Sequence, residues 1–513
     1  MTNVFYAVFF IAFLFSHSFG FDGRRCGTLN YLKEFANPQK RMLAKESYSA
    51  ETGTVRSRET KDKNFIIYYT TEGPHAVKTE RYIDSLAEYL EQAYKLHKDS
   101  LGMESISGWG ATLTDYYRQT VPPGFYPIEV VDTGLIGSCD AFGLTFPPDT
   151  RSLKRTQISI ENDFLYGTDC PALGKYRGDP YESSINGDYS KKWELALKAT
   201  VFHELYHSFQ LVQFNAFQLV YYYNMLKWED ITFWMEASAA GVEEIGAPDV
   251  NDYINYLYYI DYRNRISSIF YNQGVSMDNS QILDYSQAVL YLFLFSELGS
   301  KFDSRIWDYF KNNPKESFSM QLARLANELG IDADSLFHKY ARSIFFSGNK
   351  RVDYTDSPFW DKEDMSKWPE WAVRTVVPSL PAGSIAFVRT ANGLEPKVSA
   401  SNTIISRLNY GDSSVWVLSR FLENKYVPPA PAREFIAYPN PWRNPNSNPM
   451  RFSFLPPNAT GVEIRTSNGA LLERIKGKSG DTLIWQPKKI PAPGILYYRY
   501  LPYGKNKVLI VEY

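Results

Sequence analysis

Histidine is scarce in this chain, with six residues in 513, and cysteine is scarcer, with three. The cysteines form no C-x-x-C pair and no cluster with metal-ligand spacing, which excludes a thiolate zinc knuckle and a dithiol redox site. Charge of one sign is also missing: 55 Lys and Arg stand against 57 Asp and Glu. The formal net charge of −2 gives no electrostatic reason to expect nucleic acid or an anionic membrane as a partner. Apolar runs of comfortable membrane-spanning length are absent too. The N-terminal run "VFYAVFFIAFLF", Val4 to Phe15, has instead the length of a signal-peptide core. Ser18 and Gly20 follow at −3 and −1 for a cut after Gly20, although no Lys or Arg precedes the run. Export is the expectation, with residues 1–20 removed, no membrane span left, and the product secreted or at the cell surface. An uncleaved anchor is the alternative. In that compartment Cys139–Cys170 is the favoured disulfide, with Cys26 left over.

What is present points to a large folded protein. Hydrophobic residues make up 44% and aromatic ones 16%, and the length suits two or three domains. Residues 21–63 are polar and without strong periodicity, and read as an N-terminal arm or pro-segment. "NFIIYYTTEG" reads as a strand and turn. In "ERYIDSLAEYLEQAYKLHKDSLGM", Ile83, Leu86, Leu90 and Ala93 recur at helical spacing. "PIEVVDT" and "TQISIENDF" read as two more strands, and 167–191 as a loop. Helices are expected at about 191–227, 231–245, 250–262, 282–299, 303–312, 317–328 and 333–346, with Gly299 as a C-cap. A β-rich segment, 353–430, follows, and the proline-rich "VPPAPAREF" near its end reads as a linker. Six short strand signals fill 431–513, with Asn468–Gly469 as a hairpin turn, which suits a small sandwich.

The chemistry is concentrated in "ATVFHELYHSFQLVQF", Ala199 to Phe214. His203, Glu204 and His207 satisfy H-E-x-x-H. Positions i and i+4 share a helix face, so both imidazoles can reach one cation. Glu204 points about 100° round the helix, where it can take a proton from water rather than ligate. The competing reading is a core helix, because Phe202, Leu205, Phe209 and Val212 form an apolar stripe. Three ionisable groups buried together without a cation would be costly, and that favours a metal.

Catalytic zinc takes three protein ligands, and no further histidine lies close downstream. Glu229, Asp230, Glu236, Glu243 and Glu244 are the candidate carboxylates. Glu236 is favoured, because Ala237, Ser238, Ala239, Ala240 and Gly241 beside it would let two helices approach closely. Glu229 and Asp230 suit a helix start, where the dipole favours acidic residues. Glu243, two turns beyond Glu236, is placed to orient a histidine. Tyr285 is a candidate donor to an oxyanion, whereas His75 and His338 read as surface or packing residues.

"HELYHSFQ", "WMEASAAGVEE" and "DVNDYINYL" together resemble a loosely characterised family of secreted bacterial gluzincin-type metallopeptidases. The likeness takes in "FIIYYTTEGPHAV", "ISIENDF" and "LDYSQAVLYLFLFSELGSKF", and so covers most of 64–350. It implies a zincin-like domain with zinc at His203, His207 and Glu236 and with Glu204 as general base. Ala237 stands where many members have glycine, and the 29 residues from His207 to Glu236 exceed the spacing of thermolysin-like members. "AYPNPWRNPNSNPMRFSFLP" with "NGALLERI" and "KVLIVEY" resembles the Ig-like C-terminal sorting domains of the type IX secretion pathway. The expectation is an α+β zinc metallopeptidase domain at 64–352, acting on protein or peptide substrates. The β-rich segment and a C-terminal Ig-like sandwich that engages the secretion machinery would follow. A catalytically silent surface or adhesion protein with the same fold is the rival, and zinc hydrolysis of a non-peptide amide a third reading.

Overall fold

The computed structural model describes Thr28 and residues 53–512, apart from 107–112, 134–140, 147–155, 165–192, 215–227, 259–267, 278–284, 314–315, 354–364, 391–392, 411–412, 427–434, 444–448 and a few positions between 454 and 505. All three cysteines and the signal-peptide region fall outside the described residues, as does the whole of the expected 167–191 loop. The chain divides into two units, Met1–Tyr426 and Val427–Tyr513.

The first unit is built around a mixed sheet of order β1-β2-β3-β5-β4. Its strands are β1 (Arg56–Glu59), β2 (Phe65–Tyr69), β3 (Tyr126–Val131), β4 (Gly143–Phe146) and β5 (Gln157–Glu161). β2, β3 and β5 run parallel, while β1 and β4 pair antiparallel at the two edges. Alternation in "FIIYY" sends Phe65, Ile67 and Tyr69 to one face and Ile66 and Tyr68 to the other. Both faces are covered, so β2 to β5 are buried throughout, as parallel strands normally are.

Helix α1 (Glu80–Lys95) lays Ile83, Leu86, Leu90 and Ala93 on the first face, the spacing expected of it. Against α1 lies α2 (Trp193–Leu211), which carries the H-E-x-x-H motif and also contacts β4 and β5. From Ala199 to Leu211 every residue of α2 is buried, so its surroundings are protein on all sides rather than along one stripe. The helix expected to reach 227 ends at Leu211. Gln213 and Phe214 donate to Gln210 and Leu211, three residues back, which tightens and closes the last turn.

Helix α3 (Trp228–Gly246) packs on α2, and α5 (Ala288–Leu298) packs on α3. A Cβ on Gly241 would lie 2.4 Å from the Tyr291 ring of α5, so the absent side chain permits this approach. Between them the expected 250–262 helix is the short α4 (Tyr253–Leu257), and a 3₁₀ turn at Tyr285–Gln287 leads into α5. Gly299, at φ 87°, terminates α5 as expected of a C-cap glycine. No helix among the described residues is long and apolar enough to cross a membrane. Helices α6 (Phe302–Asn312), α7 (Phe318–Glu328) and α8 (Ala333–Ile344) complete the helical part; Ser317 and Asp332 cap the last two with side-chain hydrogen bonds.

The β-rich segment folds into a sheet of order β6-β8-β7, formed by Ser384–Val388, Ser413–Arg420 and Ile404–Tyr410. It docks on α8: His338 lies buried between Ser419 Oγ (2.8 Å) and Ser406 Oγ (2.7 Å). Phe387, Val415, Val417 and Phe421 join the same core as α1 to α5.

In the second unit one sheet runs β10-β16-β15-β12-β13 and another β14-β11-β9. Their strands are β9 (Ile436–Tyr438), β10 (Trp442–Arg443), β11 (Met450–Ser453), β12 (Gly461–Thr466), β13 (Leu471–Lys476), β14 (Leu483–Trp485), β15 (Gly494–Leu501) and β16 (Lys507–Glu512). Residues of both sheets, among them Phe452, Trp485, Ile464, Tyr498 and Leu509, enclose one apolar core. The Asn468–Gly469 turn joins β12 to β13, with Gly469 at φ 87°.

Candidate metal centre

The motif helix and α3 bring three predicted ligands together. Ligand atoms of His203, His207 and Glu236 all lie within 4.8 Å of one another, and all three residues are buried. The two Nε2 atoms are 3.0 Å apart, and Glu236 Oε2 lies 3.3 Å from that of His203 and 3.6 Å from that of His207. Among the described residues neither Glu236 oxygen has a hydrogen-bond partner. A tetrahedron with bonds of about 2.0–2.1 Å has edges of about 3.3 Å, so the three donors are spaced as three corners around a zinc-sized ion. Burial pushes the Glu236 carboxyl toward neutrality, but the His207 and His203 imidazoles outweigh it and hold the group well below the usual carboxylate range. Two nitrogen donors and a carboxylate are a ligand set suited to zinc and related transition metals rather than to calcium or magnesium.

The outer nitrogens are held as well. His203 Nδ1 meets the carboxylate of Glu243, the histidine-orienting role expected of that residue. His207 Nδ1 lies 2.7 Å from Gln210 Oε1. Of the other carboxylates considered, Glu244 is outside the cluster, and the side chains of Glu229 and Asp230 are outside the described residues. His75 accepts the backbone N–H of Asp132 at 3.0 Å, and His338 is a packing residue.

Glu204 turns to the sheet side of α2. Its Oε2 accepts from Thr145 Oγ1 on edge strand β4 at 2.7 Å and from Thr28 Oγ1 at 3.0 Å. Thr28 Oγ1 in turn accepts the Thr145 backbone N–H at 2.8 Å. Close packing makes this possible: a Cβ on Gly143 would come within 2.5 Å of Glu204 Cγ. The Tyr285 ring stacks on that of His203, with centroids 6.0 Å apart, and on Tyr256 at 4.6 Å.

Asp303 on α6 ties the two ligand-bearing helices together. It accepts from Tyr206, between the histidines, from Trp234 Nε1 at 2.6 Å, two residues before Glu236, and from Trp307 Nε1 at 3.2 Å. Burial lifts its pKa to about 6 against the pull of these donors. Thr28, Thr145, Gln210 and Asp303 are the residues sequence reasoning missed. Of these, only Gln210 carried a local signal, standing three residues from His207 on the same helix face.

Compared with known protein families and with curated proteins, the chain matches none. The chemistry of the donor set therefore carries the functional reading.

Proposed function

We propose that the chain is an exported zinc-dependent peptidase with His203, His207 and Glu236 as ligands and Glu204 as general base. The observation that carries this reading is the convergence of two imidazole nitrogens and an unpartnered buried carboxylate, with a second carboxylate one residue from the first ligand. The chemistry supplied by zinc at such a site is Lewis acidity toward a carbonyl oxygen and toward water. Glu204 takes a proton from the attacking water and returns it to the departing amine. Among the described residues β4 is an edge strand, the kind of element that pairs with an extended peptide, and here it is buried along its length. A peptide that uses the Thr145 N–H must first displace the Thr28 hydroxyl.

The rival is a catalytically silent surface protein that keeps the metal for structure. The engagement of Glu204 Oε2 by two hydroxyls favours it. Glu204→Gln separates the two. The peptidase reading expects zinc content to be unchanged and hydrolysis of a peptide library to fall by about 10²–10⁴-fold. A zinc-loaded wild type that cleaves no peptide sinks the peptidase reading.

A further inference from the structure

We infer that Gln210 is the positioning residue that presents His207 to the metal, and that it does so by locking one imidazole tautomer. The inference rests on the metal-site reading above and adds a residue to it.

The direction of the Gln210 amide follows from its partners. The Ser238 hydroxyl spends its proton on Trp234 O at 2.6 Å, so its oxygen is free to accept. Met235 O can only accept. Both lie against one end of Gln210, at 2.8 and 3.2 Å, so that end must be the NH₂ group. The opposite end, Oε1, then faces His207 Nδ1 at 2.7 Å and accepts from it. With the proton fixed on Nδ1, neutral His207 presents a bare lone pair at Nε2, toward His203 Nε2 and Glu236. His203 reaches the same state by another route, through the Glu243 carboxylate.

One side chain thus joins a ligand on α2 to the backbone just before the ligand on α3 and to a hydroxyl just after it. Met235 immediately precedes Glu236 and Ser238 follows it by two residues. Gln210 is itself fully buried, so its orientation is enforced by packing as well as by its hydrogen bonds. A neutral amide in this place holds the tautomer without adding a third buried negative charge beside Glu236 and Glu243.

The test compares zinc affinity, by competition with a chromophoric chelator, in the full chain and two variants. Gln210→Met keeps the volume and removes the acceptor, and zinc affinity is expected to fall about 10–100-fold. Gln210→Glu restores an acceptor for Nδ1–H but cannot donate to Met235 O or Ser238 Oγ. It is expected to keep affinity within a few-fold of wild type and to keep the visible spectrum of the Co²⁺-substituted site. A purely structural role predicts the opposite, since the buried charge and lost donors of Gln210→Glu would damage the helix contact more than Gln210→Met does. Wild-type affinity in Gln210→Met, or collapse of affinity in a folded Gln210→Glu, overturns the inference and leaves the metal site standing. If Gln210→Met fails to fold, Gln210→Glu alone decides. Failure of the wild type to take up zinc overturns both.

Discussion

Tyr285 begins the turn that leads into α5, and its ring is pinned between His203 and Tyr256. Under the peptidase reading, the phenol of Tyr285 is the candidate donor to the oxyanion of a tetrahedral intermediate. Tyr285→Phe keeps both ring contacts and removes only the hydroxyl. The expected outcome in a peptidase assay is a fall in kcat of about 10²-fold with KM nearly unchanged; an equal rise in KM with kcat intact would assign the hydroxyl to ground-state binding instead. His203, Glu204 and His207 could be read from sequence because their relation is local, one turn of a helix. Glu236 required a packing argument from the small residues after it. Those residues serve a wider purpose than that argument gave them: Ser238 meets Gln210 of α2, whereas Gly241 makes room for Tyr291 of α5. Thr28 and Thr145 left no trace in local sequence. They stand 176 and 59 positions from Glu204; β4 carries Thr145 to it, and Thr28 joins through hydrogen bonds to Glu204 and to the Thr145 N–H.

Among the elements, those with strong periodicity and explicit caps were legible. α1, α7 and α8 lie close to where their apolar spacing puts them, and Gly299 ends α5. The end of α2 was not legible, because "QLVQFNAFQ" contains no glycine or proline and the stop comes from a tightened turn. The docking of the β6–β8 sheet on α8 was equally hidden, and it hinges on His338. Burial, with the nearby Arg342 charge, depresses this histidine's pKa from about 6.5 to about 4 in the folded chain. The unfolded chain therefore binds the proton first. The stability that neutral His338 contributes is complete above about pH 6.5 and is lost as pH falls toward 4, at roughly 1.4 kcal/mol per pH unit. His338→Gln can still hydrogen-bond Ser406 and Ser419 but does not titrate. Urea unfolding at pH 7 and pH 5 is expected to show a smaller acid loss for the variant than for wild type, and equal losses would remove His338 from the account.

Over the whole molecule, the two units have separate apolar cores, and the candidate metal centre belongs to the first alone. A ligand that binds only the folded form of one unit stabilises that unit by mass action, by about 2.7 kcal/mol at a hundredfold excess over Kd. Calorimetry with added zinc is therefore expected to move the transition of the first unit upward and to leave that of the second in place. A scan with zinc in which both transitions move together would show that the units unfold as one. The mixed α and β character of the first unit and the β character of the second were both legible, because each follows from short-range pattern. What pattern could not convey is that Thr28 hydrogen-bonds the glutamate of the H-E-x-x-H motif. Thr28 and Thr145 share Glu204 Oε2 as their acceptor across 176 and 59 positions of sequence. Without the Thr28 hydroxyl that oxygen would be left to Thr145 alone, so the hydrogen bonding of one carboxylate registers whether the N-terminal segment is in place.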